Sequence, residues 1–303
     1  MELRQLEYLV AVAEEANFTR AAERVHISQS GVSAQVKALE SELGAELFDR
    51  SGRAATLTPA GTAALPHARA ALAAAGSLRH AVDDVTGLIR GRLTAGMVQG
   101  CEVTPWFAAL AGFHRDHPGI DIELREDTSD VLVAGVREGT VDVALVGIAG
   151  EPPAGLAAEV IISEGLAAVV ATDHALAGHA KPNDDGVELA RLVAYPVVAL
   201  PVGTGIRGVF DQACASAGLR ARVALEASAP AAVADLGARG LGVGVLSRSM
   251  ADGLTAGRTD VIAIPIQGID ISALLAVIWR RQPSPATAAF VGHCRAAFAA
   301  TAA

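Results

Sequence analysis

The chain has 303 residues, 51% hydrophobic but only 4% aromatic, with 19% charged residues and a formal charge of −9. That length is roughly two domains' worth of chain, and the composition excludes both disorder and fibrous repeats. No apolar run reaches the ~18 residues a bilayer span needs, and MELRQLEYLVAVAEEANF carries acidic residues where an export signal is basic and then apolar, so a cytoplasmic protein with no membrane partner is expected.

Leu3, Leu6, Leu9, Val10 and Ala13 recur at spacings of three and four, which predicts a first helix over 3–16. Asn17 is an N-cap for a second, short helix over 18–25, whose Ala21 and Ala22 admit a close neighbour. His26-Ile27 makes a tight connection, and Ser28 caps a third helix that begins at Gln29. On that helix Val32, Val36, Leu39 and Leu43 fall on one arc. Ser30, Ser33, Ala34, Lys37 and Ser41 lie opposite, with Gln29 at the tip. A short helix, a tight turn and a helix with a small, hydrogen-bonding outer face match a helix-turn-helix.

Residues 46–50 and 54–57 then predict two short strands about Ser51-Gly52-Arg53, a wing whose Arg50 and Arg53 would meet phosphates or the minor groove. Thr58-Pro59 opens an Ala-rich helix to about Arg90, with Leu65, Leu72, Leu78, Val82, Val85 and Ile89 along one side. Pairing with a second copy would bury that stripe. The first sixty residues hold six basic against nine acidic side chains, so a contact with DNA must come from where the charges sit and not from their sum.

In one order the chain combines FTRAAERVHISQS, VSAQVKALESELG, LFDR and LTPAG. Over about sixty residues it resembles the N-terminal domain of the LysR-type transcriptional regulators. The resemblance implies that Gln29, Ser30, Ser33 and Lys37 face the major groove or its edges, that Thr19, Arg50 and Arg53 lie near phosphates or the minor groove, and that Ser28 belongs to the same DNA-binding set. Ala34 stands where the family often has Arg or Gln, and Ser30-Gly31 replaces the more usual Pro-Ala. Gly31 in a first helical turn lowers helix propensity by up to ~1 kcal/mol relative to Ala.

From residue 91 strand and helix signals alternate, which predicts parallel sheet with crossover helices. Arg92–Val98, a helix from Thr104-Pro105 to His117, a strand through Ile120, Ile122 and Leu124, a helix capped by Ser129, and the strand Val141–Val146 complete a first unit. A second takes in Val160–Ile162, Gly165–Ala171, Pro196–Leu200, a helix from Thr204, Arg222–Glu226, a helix from Pro230 and Gly242–Leu246. The chain returns through Val261–Ile266 and Ile271–Trp279 to a helix opening at Ser284-Pro285.

This part is similar to the family's effector-binding domain, which has the two-lobed α/β fold of type 2 periplasmic binding proteins. The expected architecture is α/β overall: a mostly α winged helix-turn-helix over 1–58, a linker and dimerisation helix over 59–90, and an effector domain over 91–303. Its first lobe would span about 91–163 and 267–303, its second about 164–266. Ligands in such folds sit at the carboxyl ends of strands, and helix N-termini favour an anion such as a carboxylate. The candidates are Gln99, Gly100, Cys101, Thr128, Ser129, Gly147, Gly203, Thr204, Arg207, Ser228 and Ser247.

The resemblance implies as partners double-stranded DNA, a small-molecule effector, the protein itself as dimer or tetramer, and RNA polymerase if the protein is an activator. No cofactor, metal-ligand spacing or catalytic constellation is read, and no enzyme is expected. Gly240-Leu-Gly-Val-Gly244 precedes and enters a strand, which is the wrong context for a nucleotide loop. Two alternatives stay open: a thiol-responsive regulator sensing through Cys101, beside a predicted helix N-terminus, and a cytoplasmic solute-binding protein.

Overall fold

Three helices and a hairpin open the computed structural model, which describes residues 1–51, 54–85, 91–100, 103–179 and 186–302. The chain packs as two units, Met1–Ile89 with Glu138–Thr140, and Arg90–Arg137 with Val141–Ala303. The first contains α1 (Leu3–Glu15), α2 (Phe18–Arg24), α3 (Gln29–Leu43), β1 (Phe48–Asp49), β2 (Thr56–Leu57) and α4 (Pro59–Val85).

The Asn17 side chain accepts from the N–H groups of Thr19 and Arg20 at 2.8 and 3.1 Å and so fixes where α2 starts. The Ser28 hydroxyl accepts from Gly31 N–H at 3.2 Å. A Cβ on Gly31 would itself lie 3.2 Å from that hydroxyl, so the missing methyl that costs helix propensity leaves room for the cap. Val32, Val36 and Leu39 are fully buried with Leu6, Leu9, Val12 and Phe48. Leu43, expected on the same arc, is 48% exposed at the last position before the Gly44 cap.

The long helix differs from the expectation at its start. Of the expected stripe Leu72 packs into the core of the same unit, beside Ala64, Ala68 and Ala71, so part of the stripe is covered within the chain. Leu78 is 69% exposed. The side chains of Val82 and Val85, and Ile89 altogether, lie outside the described residues.

The second unit runs β3 (Gly91–Val98), α5 (Thr104–Asp116), β4 (Ile120–Asp127), α6 (Ser129–Glu138), β5 (Val143–Ala149), β6 (Leu156–Glu164) and β7 (Leu166–Ala171). It continues β8 (Val187–Glu188), α7 (Leu189–Leu192), β9 (Val197–Ala199), α8 (Gly205–Ser216), β10 (Val223–Glu226), α9 (Pro230–Ala238) and β11 (Val243–Ser247). It closes with α10 (Arg248–Thr255), β12 (Val261–Gln267), β13 (Ala273–Arg280) and α11 (Pro285–Ala302).

Two sheets result, ordered β4-β3-β5-β13-β6 and β10-β9-β11-β7-β12-β8. They are mixed, not parallel throughout: β13 runs antiparallel to β5 and β6, and β7 antiparallel to β11 and β12. Val160–Ile162, read as the start of the second unit, sits within β6 and pairs with β13 of the first sheet. The chain therefore crosses between sheets around Gly165 and returns between Gln267 and Ala273. Trp106, Phe113 and Phe290 form an edge-on cluster between α5 and α11, with ring centroids 5.1 and 5.5 Å apart, and anchor the first sheet's outer face. Among the described residues no helix is long and apolar enough to cross a membrane.

Candidate functional site

The outer side of α3 is built by the burial of its inner one. With Val32, Val36 and Leu39 fixed in the core, Gln29, Ser30, Ala34 and Lys37 are exposed and Ser33 is half-buried. Lys37 makes no ion pair among the described residues, whereas Arg24 pairs with Glu14 at 2.6 Å and Arg20 with Glu15 at 3.6 Å. Thr19 is exposed on the first turn of α2, and the Ser28 hydroxyl is already engaged as a cap.

Arg50 is tied to α3 from the end of the first wing strand. Its Nη2 donates to Glu40 Oε2 at 2.7 Å, its Nη1 donates to Ser33 Oγ at 3.3 Å, and its guanidinium lies 4.8 Å from the centre of the Phe18 ring. Glu40, only 8% exposed, also accepts through Oε1 from the N–H groups of Leu47 at 2.9 Å and Phe48 at 3.2 Å. One carboxylate thus fixes the start of the wing and its arginine against α3, a role that sequence reasoning missed. The signal was a Glu on the helix ten residues before an Arg. Arg53 lies outside the described residues.

In the second unit a cavity of about 800 Å³ opens between the two sheets. Of the expected residues Gln99, Gly100, Gly147, Thr204 and Ser247 line it. Thr128, Ser129, Gly203, Arg207 and Ser228 do not, and Cys101 lies outside the described residues. Ser129 is not a cap: its buried hydroxyl accepts from Gly147 N–H at 3.0 Å across to β5. Gly203, at φ +90°, sits against Thr128 and Asp130, and its carbonyl accepts from Asp130 N–H at 3.3 Å.

Arg207 does not turn inward. Its Nε donates to both Asp211 oxygens at 3.0 and 2.9 Å, and its Nη1 to Glu226 at 2.5 Å and to Leu200 O at 3.2 Å. The first turn of α8 comes against β5 with no side chain between: a Cβ on Gly205 would lie 2.6 Å from Gly147 O.

Residues 3–62 match the family described as bacterial regulatory helix-turn-helix protein, lysR family, and residues 86–299 match the LysR substrate binding domain. The chain belongs to the LysR family. The regulator ShiR of Corynebacterium glutamicum is 34% identical over 93% of this chain and 93% of its own. A probable hydrogen peroxide-inducible genes activator of Mycobacterium avium is 34% identical over 80% of this chain and 77% of its own. The crystal structure of full-length CbnR complexed with target DNA is 28% identical, covers 98% of this chain and 100% of that one, and superposes with a TM-score of 0.50.

The protein is thus a LysR-type, DNA-binding transcriptional regulator with an effector-binding domain. Within this LysR-type chain the described cysteines are poor thiolates. Burial pushes the Cys294 thiol up to about 12, the Glu159 charge adding to it, and burial with Asp211 raises Cys214. No group of His, Cys, Asp or Glu among the described residues could hold a metal ion.

Proposed function

We propose that the protein is a cytoplasmic, homo-oligomeric regulator without enzymatic activity, in which ligand in the inter-sheet cavity changes how paired α3 helices meet their half-sites. In this reading residues 1–58 form the DNA-binding domain, 59–90 the dimerisation helix and 91–303 the effector domain with its two lobes. DNA is contacted by Gln29, Ser30, Ser33 and Lys37, with Thr19, Ser28, Arg50 and Arg53 around them. The effector is contacted by Gln99, Gly100, Gly147, Thr204 and Ser247, while Thr128, Ser129, Gly203 and Arg207 frame the cavity.

The observation that carries the reading is the outward, small, hydrogen-bonding face of α3, bordered by an arginine whose position is fixed from inside the domain. Fluorescence anisotropy with a duplex from upstream of the protein's own gene, against a scrambled duplex, tests it. Tight binding to the first that weakens as salt rises, and loss of the preference in Gln29→Ala, are expected. Equal binding to both duplexes, or a preference that Gln29→Ala leaves intact, would overturn the DNA-contact assignment.

A further inference from the structure

With α3 against a duplex, the reading on which this inference rests, the middle of its outer face presents hydrocarbon between polar flanks. At ~100° per residue, Ala34 in the second turn lies within about 15° of direct opposition to the buried arc of Val32, Val36 and Leu39. Its methyl is exposed, as is that of Ala38 one turn on. The short polar side chains around it already hold partners within the domain. The Ser30 hydroxyl pairs with that of Ser28 at 3.2 Å, Ser33 Oγ accepts from Arg50 at 3.3 Å, and Gln35 Oε1 accepts from Gln5 Nε2 on α1 at 3.4 Å. Gln29 at the tip and Lys37 in the third turn are the long exposed side chains on either side.

A helix in the major groove meets base edges with the residues of its first turns, which includes Ala34 and leaves Ser41, in the last turn, outside. A side chain that ends at Cβ lets the backbone come close and offers neither donor nor acceptor. Set against a base-edge donor or acceptor, such a methyl displaces water and returns no hydrogen bond. Thymine is the base whose major-groove edge carries a hydrocarbon group, its C5 methyl, and methyl against methyl removes apolar surface from water on both sides.

We infer that Ala34 is a specificity-determining residue, which selects a thymine in each half-site through the C5 methyl of that base. The helix then reads its site by a hydrocarbon contact at the centre and by Gln29 and Lys37 to either side.

The test uses the full-length protein and two duplexes of one sequence, that upstream of the protein's own gene, synthesised with thymine or with uracil at every thymine position. Uracil removes the methyls and leaves the Watson–Crick edges as they were. Fluorescence anisotropy at one salt concentration should show wild-type protein binding the uracil duplex roughly tenfold more weakly, the effect of one buried methyl in each of two half-sites. Ala34→Gly should bind the thymine duplex with a similar loss and distinguish the two duplexes by less than about twofold. Ala38→Gly carries the same glycine penalty in the same helix and should keep the tenfold preference for thymine.

Wild-type protein indifferent to uracil would overturn the inference without any substitution. An Ala34→Gly protein that keeps the full preference, or an Ala38→Gly protein that loses it, would also overturn it, the second because a loosened helix would then account for the effect. All three outcomes leave the preference for the upstream duplex over a scrambled one in place. Loss of that preference in wild-type protein would instead remove the DNA-contact reading beneath the inference.

Discussion

Arg50 and Arg207 are held in similar ways and mean different things. Each donates to a carboxylate through its guanidinium and to a further oxygen, Ser33 Oγ in one case and Leu200 O in the other. Arg50 keeps 37% of its side chain exposed at the edge of α3, and its carboxylate partner is itself buried. Arg207 is 12% exposed and its partners, Asp211 and Glu226, are the exposed ones. The first arrangement presents a cation on a rigid mount; the second uses a cation to fasten a strand to a helix. A charge in a sequence announces a ligand only if its neighbours leave part of it free.

The sharpest way to break this contrast is Glu40→Ala. It strips the N–H groups of Leu47 and Phe48 and the Arg50 guanidinium of one shared acceptor, which should cost roughly 3 kcal/mol in urea unfolding and abolish specific DNA binding. A loss under about 1 kcal/mol would mean that Glu40 is not the mount.

Gly205→Ala comes next. Its methyl would press on the Gly147 backbone, which cannot rotate away, so a loss of about 1–3 kcal/mol is expected together with altered ligand binding in the second unit. Glu226→Ala should cost less than about 1 kcal/mol, because that carboxylate is exposed and Asp211 still holds Arg207. If the cost equalled that of Glu40→Ala, the two arginines would not differ as argued.

Lys37→Ala should leave stability alone and lower the slope of log affinity against log salt by about 0.9, the signature of one lost phosphate contact. An unchanged slope would remove Lys37 from the interface. The smallest effect belongs to the thiols: native protein at pH 8 treated with iodoacetamide should show negligible modification at Cys294 and Cys214 by peptide mass spectrometry. Rapid labelling of either would show that its burial does not hold in solution.

The two halves of the molecule were unequally legible. In the first unit the outward face of α3 is the complement of a buried arc on a single helix, so the spacing of Val32, Val36 and Leu39 fixes it without any knowledge of tertiary contacts. What the pattern hid there was Glu40, which reads as one more solvated glutamate until the wing folds back on it. The coverage of Ala64, Ala68 and Leu72 was hidden for a related reason: alanine is as compatible with a tight helix contact as with solvent.

In the second unit most strands and helices were legible from caps and alternation, but β8 and α7 are too short to carry a period, and α10, which follows β11 directly, was not read. The cavity was harder still. Its walls come from segments spread from Val98 to Phe298, and only their meeting shows that the Ser129 hydroxyl is taken by Gly147 N–H and the Gly203 carbonyl by Asp130 N–H. Carboxyl ends of strands lead to the cavity that Gln99, Gly100, Gly147, Thr204 and Ser247 line; they do not say which hydroxyl there is already hydrogen-bonded.

At Gly147 and Gly205 strand β5 of the first sheet and helix α8, which packs on the second, meet backbone to backbone. Around that point the seam also holds hydrocarbon, since Ala149, Ile206 and Ala273 pack into the core of the second sheet, so parting it uncovers apolar surface as well as peptide groups. A ligand that touched both sides would move such a joint only by as much as it preferred one arrangement over the other, however tightly it bound.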